Sequence, residues 1–230
     1  MDKSEKIRFV VIGAGYVGGP TMAVFAKNCP DIEIDVVDVN PERIKGWNNN
    51  DLTKLPVFEP GLSQIIKEVR GRNLIFSTSI KDSIKKADMV FISVNTPIKE
   101  KGIGAGETSD LRWVESCARE ISEFAEGYTI VVEKSTLPVK TAQTIKDILF
   151  SSNYQISEKS FSVLSNPEFL AEGTAIKDLE EPDRVLIGGD DQEAMEALKH
   201  IYLNWIPPEK LIFTNLWSSE LSKLTANAFL

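Results

Sequence analysis

The stretch Arg8-Phe9-Val10-Val11-Ile12-Gly13-Ala14-Gly15-Tyr16-Val17-Gly18 decides how the rest of the chain is read. Phe9 to Ile12 are apolar without alternation, as in a strand buried on both faces, and a helix from about Val17 to Lys27 follows the glycines. In the spacing G-x-G-x-x-G the first glycine permits a sharp strand-to-helix turn. The second lets the backbone approach a pyrophosphate, and the third lets helix and sheet pack closely. Free amides and the positive end of the helix would then hold the phosphates. The motif alone is weak, but here it opens the first βαβ unit, and Asp38 lies twenty residues past Gly18 at the end of the second strand. A carboxylate there accepts from a ribose 2′-OH and repels a 2′-phosphate, which favours NAD over NADP. Arg43, five residues on, can line an adenine pocket or meet a phosphate.

Working outward, β-branched runs recur at Ile32 to Val39, Leu74 to Ser77, Met89 to Val94, Thr129 to Val132, Phe161 to Leu164, Arg184 to Ile187 and Leu211 to Phe213. Between them lie apolar residues at helical spacing, such as Leu62, Ile65, Ile66 and Val69, or Ala142, Ile145, Ile148 and Leu149. Strand–helix alternation of this kind predicts an α/β, Rossmann-type doubly wound and mostly parallel sheet with helices on both faces. Ligands gather at the carboxyl ends of such strands, where Asn95-Thr96-Pro97 and Lys134-Ser135-Thr136-Leu137-Pro138 fall. Lys99 to Glu107, glycines among charges, reads as a mobile loop. Ser218-Ser219-Glu220 reads as the start of a further helix, with Leu221, Leu224 and Ala228 on one stripe. No stop signal precedes Leu230, so the chain reads as cut inside that helix.

Composition narrows the chemistry. The chain has 230 residues with 26 Lys and Arg against 34 Asp and Glu, a net charge of −8 that argues against nucleic acid as a partner. Cys29 and Cys117 form no CxxC and read as free buried thiols of a cytoplasmic protein. The uncharged run Phe9 to Ala26 could nominally span a bilayer, but its glycines and Pro20 mark a strand, turn and helix, so no membrane segment is expected. His200 is the single histidine and sits at a helix surface, which removes Ser-His, Cys-His and multi-histidine metal sites and leaves no metal expected.

Five blocks carry a resemblance: Gly13 to Pro20, Ser93-Val94-Asn95-Thr96-Pro97, Glu133-Lys134-Ser135-Thr136, Ser165-Asn166-Pro167-Glu168-Phe169-Leu170-Ala171-Glu172-Gly173, and Ser219 to Phe229. In this order they resemble the UDP-glucose 6-dehydrogenases of the UDP-glucose/GDP-mannose dehydrogenase family, over essentially the whole chain. The resemblance implies oxidation of the C6 alcohol of UDP-glucose to UDP-glucuronate with two NAD. It implies an NAD-binding domain over residues 1–217, the start of a central connecting helix over 218–230, and a UDP-sugar domain lying outside this chain. By it, Gly13, Ala14, Gly15, Tyr16, Val17, Gly18, Asp38 and Arg43 hold one half of the cofactor, while Ser93 to Pro97, Ser135, Thr136 and Glu172 line the nicotinamide side.

The catalytic set so implied is Thr136, placing a water, with Glu168, Lys223 and Asn227; Glu168 to Glu172, with Lys223 and Asn227, contact the substrate. On residue type alone, Lys223 and Asn227 read first as a solvated lysine and a surface amide, and Glu168 and Glu172 as two solvated carboxylates. Spacing of four would let each pair converge, and two close carboxylates would raise one pKa. Family members also use a cysteine nucleophile beyond the central helix, so the chain is expected to bind NAD without completing two oxidations. Dimers assembling into hexamers and inhibition by UDP-xylose are implied for the longer enzymes, and a monomer or weak oligomer for this chain. A stand-alone nucleotide-binding module, or a dehydrogenase of GDP-mannose or UDP-N-acetylmannosamine, stays open.

Overall fold

A computed structural model describes residues 6–98, 109–135, 138–151 and 160–229. Its eight strands are β1 (Arg8–Ile12), β2 (Glu33–Val37), β3 (Leu74–Ser77), β4 (Met89–Ile92), β5 (Tyr128–Glu133), β6 (Ser160–Ser165), β7 (Val185–Gly189) and β8 (Leu211–Thr214). Each falls on one of the eight runs read from the sequence, within two residues at either end. The helices are α1 (Gly18–Asn28), α2 (Pro41–Trp47), α3 (Leu62–Val69), α4 (Ile80–Ile84), α5 (Arg112–Phe124), α6 (Thr141–Ser151), α7 (Ala175–Glu180), α8 (Gln192–Tyr202) and α9 (Leu216–Phe229). The strands form one sheet in the order β3-β2-β1-β4-β5-β6-β7-β8.

Adjacent residues of β1 feed opposite cores, which is why no alternation shows in the sequence. Phe9 and Val11 join Val36, Phe91 and Val132 beneath α1, α3 and α8, while Val10 and Ile12 join Val37, Val90 and Val131 beneath α5 and α6. A strand polar on one face could not occupy this position. Because β1 lies between β2 and β4, the connections run opposite ways on its two sides, and a crevice opens above its carboxyl end.

Among the strands of the described residues, β6 and β7 alone pair antiparallel, through Leu164↔Gly189 and Ser165↔Gly188. That short overlap leaves Val185 to Ile187 projecting past the carboxyl end of β6, and Asn166 Nδ2 donates to Leu186 O at 2.8 Å across the step. Because β7 and β8 run against the other six strands, α9 leaves β8 beside Ser165 and runs up to the ligand side, where Lys223 meets Glu168.

One sequence expectation needs correction at α9. The helix begins at Leu216, two residues before the expected Ser218, because Asn215 caps it: its Oδ1 accepts from Ser218 N at 2.8 Å. The stripe of Leu221, Leu224 and Ala228 lies outside the buried face of the helix. Leu221 is 54% exposed, and the residues turned inward are Leu216, Ser219, Glu220 and Lys223. His200 is exposed on α8 and both cysteines are free and buried. Lys99 to Glu107 lies outside the described residues, as does Thr136.

Candidate active site

The glycine turn is built by steric exclusion. Gly13 adopts φ +112°, and a Cβ there would lie 2.3 Å from Ser93 O; one on Gly18 would lie 2.0 Å from Gly13 O. Gly19 plays a part the motif does not mention, since a Cβ on it would sit 2.1 Å from the Trp47 ring. Trp47 donates to Ala14 O at 2.8 Å and stacks on Phe76 at 4.7 Å, so an indole supports the turn from below. Gly15 differs from these three. Its chain neighbours aside, no atom of the described residues lies within 4 Å of where its Cβ would be. Fold packing explains Gly13, Gly18 and Gly19; at Gly15 the space is left for something else to approach.

Asp38, 4% exposed, terminates the turn between β2 and α2. Its Oδ2 accepts from Ala14 N at 2.8 Å and from Arg43 Nη1 at 2.9 Å, and its Oδ1 accepts from Asn40 N at 2.9 Å. The expected sugar-binding acid is therefore also the brace of the glycine loop and the holder of Arg43. Ala14 keeps both backbone groups inside the protein, whereas no acceptor among the described residues takes the Gly15, Tyr16 or Val17 amides. Three amides at the mouth of α1 thus face a cleft of about 620 Å³. Gly13, Gly15, Tyr16, Val17, Asp38, Arg43, Ser93, Val94, Asn95, Thr96, Ser135 and Glu168 all line it. Ser93 Oγ is buried there without a partner among the described residues. Open space at Gly15, available amides and a buried acid fit a dinucleotide diphosphate and its ribose.

The remaining expected residues divide between neighbouring cavities. Ala14 and Glu172 border one of about 600 Å³ with Gly15, Tyr16 and Arg43. Phe169 and Leu170 border another of about 310 Å³, with Lys134 and Glu168. The Ala171 carbonyl lies 3.0 Å from the Tyr16 hydroxyl. Pro97 lines none of the three, and its carbonyl accepts from Asp110 N at 2.7 Å.

Glu168 and Glu172 do not form the like-charged pair their spacing suggested. Residues 168–174 follow Pro167 without helix, so a separation of four does not put them on one face. Glu172 is exposed, while Glu168 accepts from Leu170 N at 2.6 Å and pairs with Lys223 Nζ at 3.1 Å. Lys223 is 6% exposed and its ammonium also stands 5.3 Å from the Phe169 ring centroid, which Arg184 approaches from 4.4 Å. Asn227, one turn farther along α9, is exposed and borders none of the three cavities.

Several contributors were given no role at the site by the sequence. Glu59, 4% exposed, accepts from the Tyr16 hydroxyl at 2.7 Å, Gly173 N at 2.8 Å and Ala175 N at 3.1 Å. It ties the glycine loop to the loop bearing Glu172 and pushes the Tyr16 phenol up, after burial itself. Lys134 donates to Asn166 Oδ1 at 3.0 Å, and burial pulls its pKa down to about 8. Beneath it Glu133, 1% exposed, is raised well above 4.5 by burial and by Glu220 nearby. Glu220 in turn caps α6, accepting from Lys140 N and Ala142 N, both at 2.7 Å. On α5, Trp113, Ser116, Cys117 and Glu120 line the main cleft, and burial pushes the Cys117 thiol up to about 12.

Residues 7–206 match the model of the UDP-glucose/GDP-mannose dehydrogenase family, NAD binding domain. The chain belongs to that family. UDP-glucose 6-dehydrogenase from Gallus gallus is 58% identical over 95% of the chain, and UDP-glucose 6-dehydrogenase 1 from Arabidopsis thaliana is 54% identical over 97%. The chain spans 44% and 46% of those two proteins. Among solved structures, a UDP-glucose dehydrogenase from Pyrobaculum islandicum superposes over the whole chain with TM-score 0.84 at 29% identity, covering 51% of that protein. A GDP-mannose dehydrogenase from Pseudomonas aeruginosa gives 0.83 at 30% identity, over 97% of the chain and 50% of its own. The fold and the NAD-binding assignment of this half-length chain follow from these matches.

Proposed function

We propose that the chain is the cofactor-holding half of an NAD-dependent UDP-glucose 6-dehydrogenase, which oxidises UDP-glucose to UDP-glucuronate. The observation carrying this reading is the coincidence of open space at Gly15, three available amides and the buried carboxylate of Asp38 in one cleft. UDP-glucose is favoured over GDP-mannose as substrate because the relatives at 54–58% identity are named UDP-glucose 6-dehydrogenases, whereas at 29–30% both kinds of enzyme occur.

The amides of Gly15 to Val17 would bind the diphosphate, Asp38 and Arg43 the adenosine ribose, and Ser93 to Pro97, Ser135 and Glu172 the nicotinamide side. Bound NAD supplies a hydride acceptor. Lys223, held by Glu168, would direct its ammonium at the substrate oxygen from which a proton must leave, stabilising the charge that develops there; Asn227 would hydrogen-bond that same oxygen. Thr136 is assigned to holding a water and Glu168 to the later hydrolysis. Burial pushes the Cys29 thiol to about 11 and Cys117 to about 12, so neither is a nucleophile, and the thiol of the second oxidation is assigned to the part of such an enzyme outside these residues.

The test is titration of NAD and NADP by calorimetry. The wild type is expected to prefer NAD, and Asp38→Ala to lose both affinity and preference; absence of NAD binding would overturn the proposal. Sustained NADH production from this chain with UDP-glucose would overturn its restriction to cofactor binding. No helix among the described residues is long and apolar enough to cross a membrane. For the longer enzyme we place the site of action in the cytoplasm, with hexamers built from dimers and UDP-xylose as inhibitor. For this chain we expect a monomer or weak oligomer, which sedimentation measures.

A further inference from the structure

The cleft continues past Asp38, and its far wall differs from the end described above. If the amides at the mouth of α1 mark a diphosphate and Asp38 marks the adjoining ribose, the base on that ribose falls beyond Asp38, away from the glycine turn. Three apolar side chains line the cleft there: Val39, Ile80 and Trp113. Val39 is 73% exposed and Trp113 56%, an amount of uncovered apolar area that suits the faces of a flat aromatic ring.

One helix supplies the rest of this wall. Trp113, Ser116, Cys117 and Glu120 stand at i, i+3, i+4 and i+7 along α5, so they share a face, and all four line the cleft. Glu120 is the charged member. Its carboxylate is half-buried, the Ser116 hydroxyl hydrogen-bonds it from one turn back, and burial together with Glu123 raises its pKa. No ion pair joins it to a lysine or arginine among the described residues. The guanidinium lining the same cleft, that of Arg43, is engaged by Asp38, and Arg119 pairs with Glu115. An acceptor set in an apolar slot without a cation calls for a neutral donor.

We infer that Glu120 reads the exocyclic amino group of adenine in the bound dinucleotide, and so sets the selectivity of the site for adenine over bases that carry a carbonyl at that position. Adenine offers an N–H donor there, where hypoxanthine and guanine offer an oxygen acceptor. A carboxylate attracts the first and repels the second. The inference rests on the NAD assignment and adds the base-reading residue, which the glycine motif and Asp38 do not supply.

The test compares NAD with nicotinamide hypoxanthine dinucleotide, which differs by replacement of that amino group with a carbonyl. Binding of each is measured by calorimetry to the wild type and to Glu120→Ala. The wild type is expected to favour NAD by about tenfold, the worth of one hydrogen bond to a charged group. In Glu120→Ala the ratio should fall to within about twofold, mainly through weaker NAD binding. Equal affinities in the wild type, or an unchanged ratio in the variant, would overturn the role of Glu120 and leave the NAD assignment standing. Failure of both dinucleotides to bind would overturn that assignment instead. Because the wild-type comparison alters only the ligand, it stands even if the variant does not fold.

Discussion

The glycine turn with Asp38 and the buried cluster around Lys223, joined to the same cleft through Glu168, are held by opposite means. The turn is assembled from residues close in sequence, and what shapes it is the absence of atoms: a Cβ on Gly13 or Gly18 would strike backbone. The cluster joins Lys134, Asn166, Glu168 and Lys223, contributed by the ends of β5 and β6, a loop and α9, and it is held by charges withdrawn from water. Local steric rules leave a spacing that can be read in a sequence. Burial of charge does not, because it depends on which distant segments meet.

The largest expected effect breaks the charged cluster. Lys223→Ala leaves the Glu168 carboxylate, 11% exposed, without its partner at 3.1 Å, and should destabilise the fold by about 3–5 kcal/mol in urea unfolding. Combining it with Glu168→Gln should restore a large part of the loss. A cost below about 1 kcal/mol for the single change would show that the cluster is not held by this pair.

Next come the glycines, which separate fold from ligand. Gly13→Ala forces an L side chain into φ +112° and against Ser93 O, with an expected cost of about 2–4 kcal/mol. Gly15→Ala meets open space and should leave stability within about 0.5 kcal/mol, yet weaken NAD binding at least about tenfold. Equal stability losses for the two would erase the distinction drawn between them.

How much of this was legible follows from the same contrast. All eight strands appeared as apolar runs because a sheet covered on both faces needs them, and Gly13, Gly15, Gly18 and Asp38 stood at readable intervals. Glu59 did not, since its three donors come from Tyr16, Gly173 and Ala175, far along the chain. The inward face of α9 was not legible for a related reason. Ser219, Glu220 and Lys223 point inward to partners on β6, α6 and the Glu168 loop, and no local pattern marks them for burial. The reversed strand β7, which returns α9 to the ligand side, left no mark in its composition.

A smaller effect sharpens the picture of buried charge. Glu133 keeps its proton in the fold at pH values where the unfolded chain, with its ordinary pKa of 4.5, has lost it. Its contribution to stability is full below 4.5 and declines as pH rises through the higher folded value. Relative to wild type, Glu133→Gln should therefore gain stability with rising pH above 4.5, by up to about 1.4 kcal/mol per pH unit until the folded carboxyl titrates. A difference independent of pH, seen in paired urea unfolding series, would show the carboxyl to be ionised throughout. The smallest effect is at Leu221, 54% exposed, where Ala should change stability by less than about 0.5 kcal/mol; a cost above 2 would return it to the core.

Trp47 gives the glycine turn an optical voice. Its ring is wholly shielded from solvent, stacked on Phe76 and hydrogen-bonded to the Ala14 carbonyl, so its emission depends on the shape of the turn above it. The chain thereby carries an intrinsic fluorophore under its glycine turn, able to report strain there without a dye or a label.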